Sequence, residues 1–445
     1  MICIIIILTL LRQYRIDPMS ELKKVLIVTY YWPPAGGPAI QRTLKFVKYM
    51  RFFGWEPVIL TVENGEYPAI DPSLIQEIPD NIQVYKTKAF QPFQLYRMLT
   101  GKKGNTHNNA NVFGQKDTTF VERLAKWIRL NLFIPDARIG WYAYAVKAAK
   151  KIIEQEHIDL IYSSSPPHSL QLIAQKIAKQ NKIKWVADFR DPWSELVHYQ
   201  SYKRTWLTRK IDSHFEKSVF RSADRLVAAA NDYATCIKTH VDRKIEVIYN
   251  GYDPSDFPKP KSRNTEDFLI TYTGELSEDR IPHALLRALS RLEDSNIKLQ
   301  FIGNTCPELK QEIQRLNLGN KVMLKPYMPH IASIAELQQS DLLLLVINQV
   351  ANGKGIVPGK IFEYLGTRKP ILCLGDPTGE AGEIIKTTNS GFCIAHHNEE
   401  EIFILLSRLS SGVLPGLSFQ TEQFERKNET GQLCDIFNTL VNKPS

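Results

Sequence analysis

Short runs of consecutive apolar, largely β-branched residues recur along this chain, each followed by a stretch of helical periodicity. That alternation limits the fold more than any other feature. A strand with one solvated face alternates apolar and polar residues. Residues 25–29 (VLIVT) do not, so the run must be covered on both faces, as in a central strand of a parallel sheet. A Pro/Gly loop from Trp32 to Pro38 follows. Then Ile40, Leu44, Val47 and Met50 recur at the spacing of one helix face. Gly54 closes that helix, and residues 57–62 read as the next strand. Such a βαβ unit crosses over right-handed. Further strand-like runs lie at 158–162, 183–188, 225–229 and 245–249.

After Asn250-Gly251 the composition changes, and residues 252–267 are rich in proline and polar side chains, as a linker is. A second series of runs follows at 268–273, 297–302, 321–325, 342–347, 370–374 and 391–394. Leu433, Ile436, Phe437 and Leu440 mark a last amphipathic helix. A chain of 445 residues exceeds what one core serves, so two α/β doubly wound domains are expected. The expected boundaries are an N-terminal domain at 19–250, a linker at 251–267, a C-terminal domain at 268–423 and a terminal helix at 424–445. Residues 101–118, rich in Gly, Asn, Lys and Thr, read as a mobile insertion. The apolar stretch 2–11 is too short to span a bilayer and lacks the flanks of a signal peptide. Residues 1–18 therefore read as an extension without a structural role, the alternative being a hydrophobic foot in a membrane interface.

The formal charge of +9 suits an anionic ligand or a membrane surface and is too diffuse to argue for nucleic acid. The six cysteines are scattered without a Cys-x-x-Cys pair, the pattern of a reducing, cytoplasmic compartment. No histidine or carboxylate spacing marks a metal site, and none is expected.

Ligands of doubly wound sheets bind beyond the carboxyl ends of the strands. Four segments there carry chemistry. Gly36 and Gly37, after the first strand, could let backbone N–H groups approach a phosphate, or could simply make a tight turn. Ser163-Ser164-Ser165-Pro166-Pro167-His168 ends another strand and offers hydroxyls and an imidazole to a ligand; it reads equally as a helix cap. Asp188, Arg190 and Asp191 crowd the end of a third strand, either facing a ligand or forming a salt-bridged corner. The most specific stretch is Gly355 to Leu372, where a Gly/Pro loop enters a short helix. Lys360 and Glu363, three apart, share one face near its start, so a diphosphate could meet the cation and a ribose the carboxylate.

The pattern Pro358-x-Lys360-x-x-Glu363-Tyr364-Leu365 ending in Pro370-Ile371 resembles the nucleotide-binding segment of glycosyltransferase family 4. The Gly36-Gly37 loop, Asn250-Gly251-Tyr252-Asp253 and Tyr272-Thr273-Gly274-Glu275-Leu276 fall in the family's order, from Lys23 to the final helix. The resemblance implies a GT-B architecture, two facing Rossmann-like domains with a cleft between them. It implies that Glu363 holds the ribose, that Gly274, Arg280, Pro358 and Lys360 border the diphosphate, and that the last helix returns to the N-terminal domain. It also aligns Arg190 and Asp191 with the family's region near the transferred sugar, and Asp188 and His168 join them as candidate catalytic residues. This chain departs from the family in three places: Gly355 stands where the family's first glutamate would be, Glu275 where a pyrophosphate-gripping arginine would be, and Arg190-Asp191 lacks the family's preceding histidine.

The implied function is a retaining hexosyltransferase using a nucleoside-diphosphate sugar, with no further cofactor. A saccharide or lipid-linked hydroxyl acceptor at the inner membrane face is implied as well, in cell-surface polysaccharide or glycolipid synthesis. The basic, aromatic stretch from Tyr202 to Arg221 could meet anionic lipid, or could show a solvated basic face. Two other classes remain: a sugar-nucleotide epimerase of the same architecture with Asp188 and Asp191 as acid and base, and a non-catalytic nucleotide-sugar-binding protein.

Overall fold

The computed structural model describes residues 22–91, 120–194, 204–258, 263, 266–292, 295–350, 353–413 and 416–442. The expected extension at 1–18, the insertion at 101–118, and Tyr202 and Lys203 lie outside the described residues. The chain divides into two compact units. The first comprises residues 1–229, 233–249 and 429–445; the second comprises 230–232 and 250–428.

The first unit is built on a seven-stranded parallel sheet: β1 (Lys23–Val28), β2 (Trp55–Val62), β3 (Gln83–Thr87), β4 (Leu160–Ser165), β5 (Lys184–Phe189), β6 (Arg225–Ala228) and β7 (Ile245–Val247), in the order β3-β2-β1-β4-β5-β6-β7. The uniformly apolar runs are buried on both faces, as their composition requires. Leu26 and Val28 join one core cluster, whereas Val25 and Ile27 join another. The strand order reverses between β1 and β4, whose residues pair from Val25 with Leu160 to Val28 with Ser163. Beyond such a switch point lies the usual ligand crevice of this topology.

The second unit repeats the plan with β8 (Phe268–Thr273), β9 (Ile297–Ile302), β10 (Val322–Lys325), β11 (Leu342–Val346), β12 (Ile371–Leu374) and β13 (Gly391–Ile394), all parallel, in the order β10-β9-β8-β11-β12-β13. Its switch point falls between β8 and β11.

The last helix, Arg426–Val441, supplies part of the first unit's core. Leu433, Cys434 and Phe437 are buried with Val25, Ile27 and Trp55. The Phe437 ring packs edge-on with Trp55 and at a tilt with Tyr162, ring centres 5.2 and 5.8 Å away, and Trp55 Nε1 donates to Asn438 Oδ1 at 3.2 Å. No described helix is long and apolar enough to cross a membrane.

Candidate active site

In the second unit, helix Lys360–Thr367 is tied to the carboxyl end of β8. Tyr364, fully buried, accepts from the Thr273 backbone N–H at 3.1 Å and donates to the Leu344 carbonyl at 3.2 Å. Lys360 sits at the helix start and donates from Nζ to the Thr273 carbonyl at 2.7 Å. Its ammonium also lies 3.9 Å from the centre of the Tyr272 ring. Gly274 follows with φ of 107°, a backbone only glycine adopts without strain, and a Cβ there would come within 3.2 Å of Lys360 Nζ. Arg280 is held by Nε donation to Ser277 Oγ at 3.1 Å.

Burial, and then the Arg280 charge, lower the Lys360 pKa to about 7, while Glu363 opposes them. Two cations brought together without an anion repel, and a diphosphate between them relieves that cost. Glu363, half-exposed, meets His330 Nε2 through Oε1 at 3.1 Å. Pro358 stands two residues ahead of Lys360 on the loop entering the helix, and its carbonyl accepts from the Ile361 N–H at 3.0 Å. The structure thus brings Gly274, Arg280, Pro358, Lys360 and Glu363 to one end of one sheet. Gly355 has a steric reason: a Cβ there would lie 2.1 Å from the Asp232 carboxylate, within the same unit. No glutamate fits that position unless Asp232 moves. Glu275 is exposed, and its carbonyl accepts from the Tyr272 hydroxyl at 2.8 Å.

A direct consequence follows for pH. A diphosphate favours the charged amine, so Lys360 takes up a proton on binding wherever the free protein has lost it. Affinity for a nucleoside diphosphate is expected to be level below pH 7 and to fall as pH rises above 7. Calorimetry at pH 8 in two buffers of different ionisation enthalpy should register proton uptake; none, with Lys360→Met behaving identically, would remove Lys360 from the site. Because the folded pKa lies below the ordinary lysine value of about 10.4, Lys360 weakens the fold fully below pH 7 and less as pH climbs toward 10. Lys360→Met should therefore raise the melting temperature at pH 6 by a few degrees.

The first unit corrects several expectations. Asp188 is fully buried and does not face a ligand. Its carboxylate accepts from Arg42 at 2.7 and 2.9 Å, from the Tyr162 hydroxyl at 2.6 Å and from Ser164 Oγ at 2.7 Å. With its acceptor capacity taken up, it is a structural anchor rather than an acid or base. Burial works against the Arg42 charge, and Asp188 more than restores it. The serines of 163–165 are likewise spent inward. Ser163 Oγ donates to Gln171 Oε1 at 2.7 Å and accepts from Trp185 Nε1 at 2.9 Å, and Ser165 Oγ accepts from Gln171 Nε2 at 3.0 Å.

His168 is buried, its ring stacked on Trp193 with centroids 4.9 Å apart. Burial, only partly offset by the Asp136 and Asp191 charges and the Pro192 backbone, lowers its pKa to about 4, so the ring is neutral. It does not cap its helix. Asp136 does so instead, accepting from the Ser169 N–H at 2.9 Å and from Ser169 Oγ at 3.0 Å. Arg190 and Asp191 stay near the surface, paired at 2.8 Å, with side chains 15 % and 42 % exposed. Gly36 does not offer its N–H to a phosphate, since that group donates to the Ala69 carbonyl at 2.9 Å. A Cβ there would press to 3.1 Å from that of Asp71. Gly37, with φ of 93°, begins the helix Pro38–Met50.

Two family models match end to end: Glycosyltransferase Family 4 over residues 111–256 and Glycosyl transferases group 1 over 254–411. The chain is a family 4-like glycosyltransferase. Solved structures share the fold at low identity. A glycosyltransferase from Rickettsia africae ESF-5 has a TM-score of 0.58 at 15% identity, covering 96% of this chain and 100% of that one. Anabaena Alr3699/HepE in complex with UDP has 0.60 at 14%, covering 94% and 100%. A putative UDP-N-acetylglucosamine 2-epimerase from Listeria monocytogenes has 0.54 at 10%, covering 95% and 98%. No curated protein matches this sequence. The two parallel sheets are those of the GT-B fold.

Three residues of this glycosyltransferase were given no role at the site by sequence alone. Arg42 sits among Thr43 and Lys45 on what reads as the polar face of its helix, yet all three are buried. Tyr272 reads as strand core, and it carries Lys360 on its ring. His330 gives no sequence signal, because it meets Glu363 only through the fold. Among the described residues there is no group of three or more His, Cys, Asp or Glu side chains able to hold a metal.

Proposed function

We propose that this glycosyltransferase is a retaining hexosyltransferase that uses a nucleoside-diphosphate sugar and needs no metal. The observation that carries the reading is the convergence of Lys360 and Arg280 at the end of β8, with Glu363 one helical turn away. Lys360 and Arg280 bind the diphosphate and stabilise the charge that builds on it as the sugar leaves. Glu363 accepts from the ribose hydroxyls. The glycosidic bond forms between the acceptor oxygen and the anomeric carbon as the bond from that carbon to the diphosphate breaks. The acceptor proton departs with the diphosphate, so no protein nucleophile is required. Arg190 and Asp191, paired near the surface of the first unit, are the residues of that unit we assign to the transferred sugar. UDP in the Anabaena structure supports a nucleotide donor for this chain. The acceptor is a hydroxyl of a saccharide or lipid-linked precursor, met in the cytoplasm or at the inner membrane face, in polysaccharide or glycolipid synthesis. The epimerase reading is set aside, because it needed Asp188 as an acid or base.

A thermal-shift screen across nucleoside diphosphates and nucleotide sugars tests the donor. A ligand at one hundred times its Kd contributes about 2.7 kcal/mol, which is several degrees. No shift with any of them would end the proposal. With the donor in hand, transfer is expected to persist in excess chelator. Loss of turnover restored by Mg²⁺ or Mn²⁺ would show that a metal carries the diphosphate charge instead.

A further inference from the structure

The last two strands of the second sheet set cysteine against cysteine. The register of β12 and β13 pairs Ile371 with Gly391, Leu372 with Phe392, Cys373 with Cys393 and Leu374 with Ile394. Neighbouring strands run about 4.8 Å apart, and partners in register project to the same face. That spacing is inside the roughly 4.4–6.8 Å between Cα atoms that a disulfide spans. Both cysteines are free, and their thiols are hydrogen-bonded to each other. Leu372, Leu374 and Ile394 belong to the core on one side of the sheet, so the alternation of side chains puts both sulfurs on the other.

The two thiols are unequal. Cys373 is fully buried, with Leu345 of β11 as its partner on the far side. Cys393 is partly exposed on β13, the edge strand. An oxidant therefore reaches Cys393 first. The hydrogen bond from Cys373 lowers the Cys393 pKa, against burial and the Asp376 and Glu401 charges. The same bond, together with burial, raises that of Cys373. The thiolate is the nucleophile, so Cys393 attacks and Cys373 resolves.

We infer that Cys373 and Cys393 form a reversible dithiol–disulfide site, oxidised by a small-molecule disulfide such as oxidised glutathione. The Cys393 thiolate attacks one sulfur of that disulfide, whose S–S bond breaks as one glutathione thiolate leaves. Cys373 gives up its proton and attacks the Cys393 sulfur, and the second glutathione leaves as the protein S–S bond closes. Two electrons pass from the protein thiols to the oxidant, and the two thiol protons end on the two released glutathiones. In a reducing compartment the pair stays as two thiols until the glutathione pool is oxidised. The site is independent of the donor, and does not rest on the transferase reading.

The test is peptide mapping by mass spectrometry on the full chain after incubation with oxidised glutathione, the remaining thiols being alkylated under denaturing conditions. The parent protein is expected to yield a linked pair of peptides carrying Cys373 and Cys393, which dithiothreitol separates. Cys373→Ala removes the resolving thiol, so Cys393 should be trapped as its mixed disulfide with glutathione. In Cys393→Ala, Cys373 should react at least ten-fold more slowly than Cys393 does in Cys373→Ala. Cys393 is partly exposed on an edge strand, so its variant keeps the fold if Cys373→Ala does not. No linked pair in the parent, glutathione persisting on Cys393 in the parent, or ready modification of Cys373 in Cys393→Ala would overturn the inference.

Discussion

Asp188→Ala is expected to destabilise the first unit by about 3–5 kcal/mol, because it strands a fully buried guanidinium without its anion. Arg42 would keep its bond from Nη1 to the Tyr249 carbonyl at 2.7 Å and the attraction of the Glu429 carboxylate, but neither replaces the two short bonds to Asp188 that offset its burial. The Tyr162 and Ser164 hydroxyls would lose their acceptor as well. The measurement is urea unfolding of Asp188→Ala, of Arg42→Met, and of the double variant Arg42→Met/Asp188→Leu. Each single change should cost several kcal/mol. The double change, which removes both charges and restores volume, should recover most of the loss, since apolar replacement of a buried pair is often close to neutral. A stable but inactive Asp188→Ala protein would return Asp188 to the chemistry.

The second large effect concerns the nucleotide. Glu363→Gln keeps size but removes charge and half of the acceptor capacity. Hydrogen bonds to a charged partner contribute about 1.5–3 kcal/mol, so nucleoside diphosphate affinity should fall by roughly one to two orders of magnitude. A 2′-deoxy nucleotide should bind the parent protein weakly and lose little more on mutation. The structure adds a control, because Glu363 also meets His330. His330→Ala removes that contact without touching the ribose. If the carboxylate only pairs with its neighbour, Glu363→Gln and His330→Ala will lower stability alike, and ribo- and deoxyribonucleotides will suffer equally. If it holds the ribose, only Glu363→Gln will separate them.

The fold was legible where the side chains of a strand all demand burial. The runs at 268–273, 297–302 and 391–394 coincide with β8, β9 and β13. β3 was not foreseen, because Gln83-Val84-Tyr85-Lys86-Thr87 mixes polar with apolar residues as an edge strand does, and β3 is indeed the last strand of its sheet. The site was legible where local order makes it. A glycine-rich loop entering a helix fixes Lys360 and Glu363 one turn apart whatever surrounds them. It was not legible at Asp188, whose partner Arg42 lies 146 residues away in sequence. A charged residue at the end of a buried strand looks the same in sequence whether it awaits a ligand or a guanidinium. Gly36 misled for a similar reason, since a glycine needed to clear Asp71 cannot be told from one needed to admit a phosphate.

The returning helix has a consequence for how the chain is made. Leu433, Cys434 and Phe437 belong to the core that includes β1, but a ribosome releases them only after all of residues 250–428. At about 5–20 residues per second, that interval is on the order of ten to forty seconds. Throughout it, the apolar surface around Val25, Ile27 and Trp55 lacks its cover, while the second unit has every one of its strands and can fold. The part of the molecule synthesised first is thus the part completed last, and a nascent chain stalled before Arg426 is the form a chaperone would find most exposed.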